Sequence, residues 1–195
     1  MTTVTTVDTR RFRQRLLDGM AASITEDGFR ETTVAGIVRR ARTSRRTFYE
    51  HFSGKEECFI ALLADANRDM IRQISAAVDP GAPWAEQVRQ AIEAWIACAE
   101  SEPAITLSWI RDVPALGATS RELQREAMEG FIAMTQRLTD TAEMRAAGIS
   151  PPSRQLAIML LGGLRELIAT TVEDGGRAGD VTELAVRASI ALLGP

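Results

Sequence analysis

Residues 42–51 carry the strongest chemical signal in the sequence, because polar, cationic and aromatic side chains surround a small apolar face there. The segment reads Arg-Thr-Ser-Arg-Arg-Thr-Phe-Tyr-Glu-His. Phe48 and Phe52 are four residues apart, so they fix the inner face of a helix whose other side chains point outward. Such a helix fits the major groove of DNA, where an arginine can bind guanine through two hydrogen bonds.

Two short helices must position this segment. Thr33 is a good N-cap for a helix that ends near Ala41, and Ser44 offers a second N-cap three residues later, which predicts a helix-turn-helix. The first turn of its second helix then faces the bases, and the groups that follow bind phosphates. The base-facing candidates are Arg45, Arg46 and Thr47, and the phosphate candidates are Tyr49, His51 and Lys55. The alternative is a solvated pair of arginines without a partner.

Charge is distributed unevenly along the chain. The net charge of the 195 residues is −3, yet residues 1–55 carry +5 and residues 56–195 carry −8. A basic N-terminal part agrees with a nucleic-acid partner for that part alone.

The remaining periodicity is helical, and no alternating pattern predicts a strand, so the expected fold is all-α with about nine helices. The first helix is expected over about 9–27, where Gly28 ends it, and Ser53 with Glu56 fits a capping box for the fourth. We expect residues 1–8 to be a disordered arm, residues 1–55 to form a DNA-binding domain and residues 56–195 to form a separate helical bundle.

Two strings resemble the tetracycline-repressor (TetR) family of bacterial transcription regulators. Residues 32–37 read Thr-Thr-Val-Ala-Gly-Ile, and residues 47–56 read Thr-Phe-Tyr-Glu-His-Phe-Ser-Gly-Lys-Glu. The resemblance covers about residues 10–63 and implies an all-helical homodimer that binds operator DNA and holds an inducer in its C-terminal bundle. It also gives Thr33 a phosphate role. Two departures are Arg42, where the family usually has a glycine suited to positive φ, and Arg46, where it often has a small residue.

The C-terminal part contains the residues expected around a ligand. Tryptophan and methionine suit a cavity for an apolar ligand, although packing in a filled core is the commoner role of such side chains. Arg111 would supply a polar contact, with an exposed ion pair as the alternative. The ligand candidates are Trp95, Trp109, Arg111, Phe131, Met134 and Met159.

Residues 153–174 are apolar on most sides of a helix, which predicts contact with a second copy of the chain together with the last helix. Gly162 and Gly163 fit close helix packing better than a phosphate loop, since no strand precedes them. The expected dimer contacts are Leu156, Leu160, Gly163, Leu164, Leu167, Leu184 and Ala188.

Other functional classes find little support in the sequence. The two cysteines, Cys58 and Cys98, lack metal-ligand spacing, and the single histidine has no evident nucleophile as a partner. We therefore expect no enzyme activity, cofactor, metal or membrane association, and a cytoplasmic location. The expected function is that of a repressor released from a palindromic operator by a small, largely apolar ligand. The alternatives are an activator or global regulator, or a helical-bundle ligand carrier or enzyme.

Overall fold

The computed structural model of the chain describes residues 3–194, with the side chains of residues 9–118 and 120–194. These residues form ten α-helices and two short 3-10 helices and contain no strand, so the all-α prediction is confirmed. The helices are α1 (Thr3–Glu31), α2 (Val34–Arg40), α3 (Arg45–His51), α4 (Lys55–Ala77), α5 (Trp84–Ser101), α6 (Pro103–Arg111), α7 (Ala118–Leu138), α8 (Ala142–Ala146), α9 (Arg154–Glu173) and α10 (Thr182–Leu193). The 3-10 helices are Val113–Leu116 and Ala178–Val181.

Helix α1 begins at Thr3, so residues 3–8 are helical where the sequence analysis expected a disordered arm. The reason is that no glycine or proline interrupts residues 1–18, and a helix that is anchored further along can extend backwards through them. Met1 and Thr2 lie outside the described residues. Gly28 has φ of 77°, a conformation that favours glycine, and α1 ends three residues later at Glu31.

The first three helices and the start of α4 enclose one hydrophobic core. Gly19 permits α1 to approach α2 closely, because a Cβ atom on Gly19 would lie 2.7 Å from the carbonyl oxygen of Ile37. Phe29 of α1 stacks on Phe59 of α4 with ring centroids 4.1 Å apart. The core also contains Leu16, Leu17, Met20, Ile24, Phe48, Phe52, Cys58 and Leu63.

A second core lies within the bundle formed by the later helices. Trp95 of α5 stacks on Phe131 of α7 with centroids 5.2 Å apart. Helix α4 joins the two cores, since Leu63 is buried in the first and Ile74 in the second. The two sites predicted from the sequence therefore share one continuous helix.

The apolar periodicity of residues 118–146 predicts one long helix, but the structure has two helices there, which raises the count from the expected nine to ten. Helix α7 ends at Leu138, and Thr141 begins α8 by accepting a hydrogen bond from the backbone N–H of Met144.

The start of α4 differs from the predicted capping box. Ser53 bonds through its hydroxyl and its N–H to Glu57, each at 2.6 Å, instead of to Glu56. A side chain one residue further along the helix thus makes the contact.

Helix α9 is long and apolar enough to cross a membrane by length and composition alone. Leu160, Leu161 and Leu164 of this helix are buried in the second core. Core helices of soluble proteins pass the same test, so length and composition are weak evidence that α9 spans a membrane. The prediction that Leu160 and Leu164 contact a second copy is therefore wrong. Both are 6% exposed because they face their own chain.

The outward face of α9 and α10 is apolar in several places. Met159 is 64% exposed and Leu184 is 49% exposed, and Gly163 and Ala188 are exposed beside them. Leu156 and Leu167 are half-buried at the margin. Of the predicted dimer contacts, Gly163, Leu184 and Ala188 are those that a second copy of the chain can reach most directly, and Met159 lies on the same outward side.

Candidate nucleic-acid interface

Helices α2 and α3 form the predicted helix-turn-helix, and both begin at the predicted caps. The Thr33 hydroxyl accepts a hydrogen bond from the N–H of Gly36 at 3.1 Å. The Ser44 hydroxyl accepts one from the N–H of Thr47 at 3.0 Å. Each cap satisfies a backbone donor that the first turn of a helix leaves free, so the start of α3 is fixed by local chemistry.

The turn between the two helices holds a strained residue. Arg42 has φ of 49° and is the one non-glycine residue with positive φ among those that the structure describes, as its place in the turn predicts. Arg15 of α1 stabilises this turn. Its Nε donates to the carbonyl oxygen of Ala41 at 3.0 Å, and its Nη2 also donates to the carbonyl oxygen of Arg42. Sequence reasoning missed Arg15, since no local pattern connects it with a turn 26 residues away.

The helix-turn-helix presents several cations without an acidic partner. Arg39, Arg42 and Arg45 are exposed and form no ion pair among the described residues. Arg40 instead pairs with Asp27 at 2.9 Å and with Glu26. Unpaired guanidinium groups on one exposed surface attract a polyanion, because they need no internal bond to be broken first.

Arg46 and Thr47 lie in the first turn of α3, where the sequence analysis expected contacts with bases. The Arg46 side chain is 90% exposed, and its Nε donates to Glu50 at 3.1 Å, one turn along the same helix. The Thr47 hydroxyl lies 3.0 Å from the Ser44 hydroxyl. Arg46 therefore remains accessible for a base, while Thr47 also takes part in the cap.

Tyr49 and His51 lie towards the end of α3. The Tyr49 ring is 59% exposed and meets Phe48 edge-on, with centroids 5.4 Å apart. Within the described part of the chain, its hydroxyl has no hydrogen-bond partner, so a phosphate oxygen can accept from it. His51 is half-buried beside Phe52, with ring centroids 6.3 Å apart.

Lys55 has a role that the sequence analysis missed. Its ammonium donates to three carbonyl oxygens at the end of α1, those of Phe29, Arg30 and Thr32, at 3.2, 2.9 and 2.9 Å. It also lies 4.9 Å from the centre of the Phe29 ring. An ammonium has three N–H groups, and all three are used. The phosphate role stays a prediction, and it requires Lys55 to release at least one carbonyl.

Lys55→Met should lower the melting temperature of the protein. The substitution leaves three carbonyl oxygens without their charged donor, which costs about 1–3 kcal/mol of unfolding free energy. Thermal unfolding followed by circular dichroism measures the effect, and Arg137→Met, at an exposed position on α7, is the matched control. A Lys55→Met variant as stable as the control would show that these hydrogen bonds contribute nothing.

The predicted ligand residues divide into two groups. Trp95, Trp109 and Phe131 line one cavity of about 60 Å³, between α4, α5, α6, α7 and α9. Met134 lines a neighbouring apolar cavity of about 50 Å³, and Trp95 lines that cavity too. Met159 lies outside both cavities and faces solvent, so its predicted place in the pocket is wrong. The periodicity of α9 marks it as apolar without indicating which side faces inward.

Arg111 lies at the surface, where it forms the ion pairs that the sequence analysis named as the alternative. Its guanidinium contacts Glu166 at 2.9 Å and Glu173 at 2.6 Å on α9. The hydrogen bonds from Arg111 hold the pKa of both carboxyl groups below the ordinary value. Arg111 therefore ties α6 to α9 instead of facing either cavity.

Two polar residues of the larger cavity escaped the sequence analysis. Asn67 of α4 and Arg165 of α9 line it together with the aromatic residues. Arg165 and Glu166 interrupt an otherwise apolar stretch, and a charged residue inside such a stretch was a signal that could have found Arg165.

The helix-turn-helix region matches a known family. Residues 16–62 match the model of the bacterial regulatory proteins of the tetR family. Over 80 residues the chain is 27% identical to YhgD, an HTH-type transcriptional regulator of Bacillus subtilis (strain 168). This alignment spans 41% of this chain and 42% of the relative, less than half of either.

Several solved structures share the fold over nearly the whole chain. The fatty acid degradation regulator FadR of Bacillus halodurans has a TM-score of 0.80 at 14% identity, over 92% of this chain and 94% of that one. FadR of Bacillus subtilis in complex with stearoyl-CoA has a TM-score of 0.78 at 16% identity, over 92% and 98% of the two chains. A tetR-family transcriptional regulator of Streptomyces coelicolor has a TM-score of 0.76 at 16% identity, over 94% and 80%.

At these identities the structural likeness establishes the fold, and the family model establishes the type of N-terminal domain. Capped helices α2 and α3, a turn with positive φ and the matched segment 16–62 all agree with that assignment. Residues 16–62 therefore resemble the N-terminal domain of the tetR family of bacterial regulatory proteins, and the whole chain shares the fold of solved structures from that family.

Proposed function

We propose that the protein is a cytoplasmic transcriptional repressor that binds a palindromic operator as a homodimer and leaves it when a small, largely apolar ligand enters the bundle. The observation that carries this proposal is the course of α4. This helix begins at Lys55, beside the helix-turn-helix, and contributes Leu63, Ala66, Asn67 and Met70 to the wall of the larger cavity. One helix thus contacts both the DNA-facing region and the ligand region.

The DNA-binding part of the proposal rests on the exposed, unpaired arginines around α3. A dimer places two copies of α3 in successive major grooves on one side of the duplex, so half-sites lie about one helical turn or a multiple apart. The apolar outward face of α9 and α10 supplies the contact between the two subunits. The TetR-type fold agrees with this arrangement.

Release follows from the position of the cavity. A ligand wedged against α4 changes the separation of the two α3 helices, but only to the extent that it binds the released state more tightly than the DNA-bound state. A hundredfold preference corresponds to about 2.7 kcal/mol, which empties a moderately occupied operator. The stearoyl-CoA complex of the Bacillus subtilis structure supports a ligand with a long apolar chain for this fold.

Genome-wide recovery of DNA bound by the full chain tests this function. We expect the recovered fragments to share a palindrome or near-palindrome, and we expect half a turn of added spacer to abolish binding in vitro. The enriched sites should lie over promoters whose transcripts rise when the gene is deleted. Fragments without a shared motif would contradict sequence-specific DNA binding, and falling transcripts would contradict repression.

Arg46→Ala should change which operator sequence the protein prefers. Loss of a bidentate contact with guanine costs about 1–3 kcal/mol at one base pair, while binding to DNA without the operator stays nearly unchanged. Competition binding against a library of single-base variants measures this. Arg137→Ala, on the exposed side of α7, is the control. An identical preference profile for Arg46→Ala and the control would remove Arg46 from base recognition.

A further inference from the structure

The larger cavity contains two buried hydrogen-bond donors that have nothing to bond to. Asn67 Nδ2 and Arg165 Nε are shielded from solvent and find no acceptor among the residues that the structure describes. Both side chains line the cavity, Asn67 from α4 and Arg165 from α9. Buried donors of this kind are uncommon, because an unpaired polar group costs more when it is buried than when it is hydrated.

Arg165 has no counter-charge inside the cavity. Among the residues that the structure describes, no acidic side chain lines this space. The adjacent carboxylate, Glu166, is already bound by Arg111 through two hydrogen bonds of 2.9 and 3.0 Å at the surface. Burial lowers the pKa of the Arg165 guanidinium, and the neighbouring Glu166 charge opposes this shift without removing it. A guanidinium held in this way attracts an anionic acceptor from outside the chain.

The remaining walls of the cavity are aromatic and apolar. Trp95, Trp109 and Phe131 provide flat surfaces, and Met70 provides an adaptable one. Trp95 also lines the neighbouring cavity, so the indole lies between the two spaces. Most residues around that second cavity are apolar, with Gln87, Thr135, Thr139 and Ser189 as the polar ones. A polar end at Arg165 and an apolar end beyond Trp95 together define an amphipathic site.

We propose that this site binds an amphipathic organic anion, with a carboxylate head on Arg165 and Asn67 and an apolar body directed along Trp95 into the second cavity. This inference deepens the proposed function and rests on it, because it gives the chemical class of the regulating ligand. Both orphaned groups are donors, and a carboxylate accepts from both at once. Bidentate pairing with a guanidinium fixes the orientation of the head.

The size of the cavity links ligand binding to movement. A space of about 60 Å³ is smaller than the cavity of about 150 Å³ that holds a benzene ring. An apolar body therefore displaces wall residues, and the wall on the α4 side contains Met70 and Ala66. Pressure on this wall moves the helix whose first residue, Lys55, holds the end of α1.

The probes for the experiment are octanoate and 1-octanol, which have the same alkyl chain and differ in the head group. Calorimetric titration of the full chain should give a dissociation constant at least about 10-fold lower for octanoate than for 1-octanol. Tryptophan fluorescence should change on binding, since Trp95 and Trp109 line the site. Arg165→Gln should weaken octanoate binding by about 10- to 100-fold and leave 1-octanol within about threefold.

Two further variants keep the test decisive if Arg165→Gln folds poorly. Arg165→Lys retains the charge but not the fork of donors, so octanoate affinity should fall between the wild type and Arg165→Gln. Arg137→Gln removes the same charge from the exposed side of α7 and should leave the affinity for octanoate unchanged. A purely structural role for Arg165 would lower thermal stability without altering the ratio of the two affinities.

The outcomes separate this inference from the proposed function. Equal affinities for octanoate and 1-octanol would overturn the anionic head, and so would a cavity that holds only water and binds neither probe at millimolar concentration. In either case, intact operator binding would leave the DNA-binding function standing. Octanoate that binds through Arg165 but does not weaken operator binding would support the site and contradict the mechanism of release.

Discussion

Met159→Asp should convert the proposed homodimer to monomers. Met159 is 64% exposed on α9, next to Gly162 and Gly163, and it belongs to the outward apolar face that includes Leu184 of α10. A symmetric interface contains the substituted residue twice, so two carboxylates would be buried without partners at a cost of several kcal/mol. Light scattering measures the mass. Operator affinity should fall when the dimer dissociates, because each half-site of the operator then binds one monomer separately.

Two controls make the result specific. Ser75→Asp adds the same charge on the exposed side of α4 and should remain dimeric. Leu164→Asp should unfold the chain instead of separating subunits, since Leu164 is 6% exposed and belongs to the second core. A Met159→Asp variant that stays dimeric would place the subunit contact on another face.

Operator affinity should fall steeply as salt concentration rises. Arg39 and Arg42 are exposed, unpaired within the described chain and outside the base-facing set, which gives four such arginines in the proposed dimer. If all four bind phosphates, log K falls against log salt with a slope of about −4, a loss of about 10² in affinity between 50 and 200 mM. Binding titrations at four or more salt concentrations measure the slope.

Single substitutions show which arginines contribute to the slope. Arg39→Ala removes one contact from each subunit and should make the slope shallower by about 2 units. Arg137→Ala should leave it unchanged, because Arg137 lies on α7 in the bundle. An affinity that does not depend on salt would contradict phosphate binding by the basic N-terminal region.

Features that depend on neighbouring residues were predictable from the sequence. Thr33 and Ser44 cap their helices, Gly28 takes positive φ near the end of α1, and Arg42 takes positive φ in the turn. For Thr33, Ser44 and Gly28 the residue type itself indicates the local conformation, whereas for Arg42 the indication came from its place in the turn, where the resembled family has a glycine.

Features that depend on the packing of distant segments were not predictable. The pattern of α9 marks many apolar positions, but only the packing of the bundle decides that Leu164 faces inward and Met159 outward. The same limit applies to Lys55. Its charge suggested a phosphate, whereas the folded chain brings three carbonyl oxygens from α1 to it. The position of Arg165 in the wall of a cavity likewise depends on how the helices of the bundle pack, which the sequence does not indicate.

The hydrophobic core beneath the helix-turn-helix is not made from the N-terminal segment alone. Three residues from later in the chain are also buried in it: Ile105 of α6, Val113 of the first 3-10 helix and Leu123 of α7. In addition, Arg30 of α1 forms an ion pair with Asp112 at 3.4 Å. A chimaera that exchanges only residues 1–62 with a relative therefore sets foreign side chains against these three native ones. To transfer DNA specificity between related proteins, Ile105, Val113 and Leu123 must therefore be exchanged as well. The alternative is to replace only α3 and to keep the rest of the recipient protein.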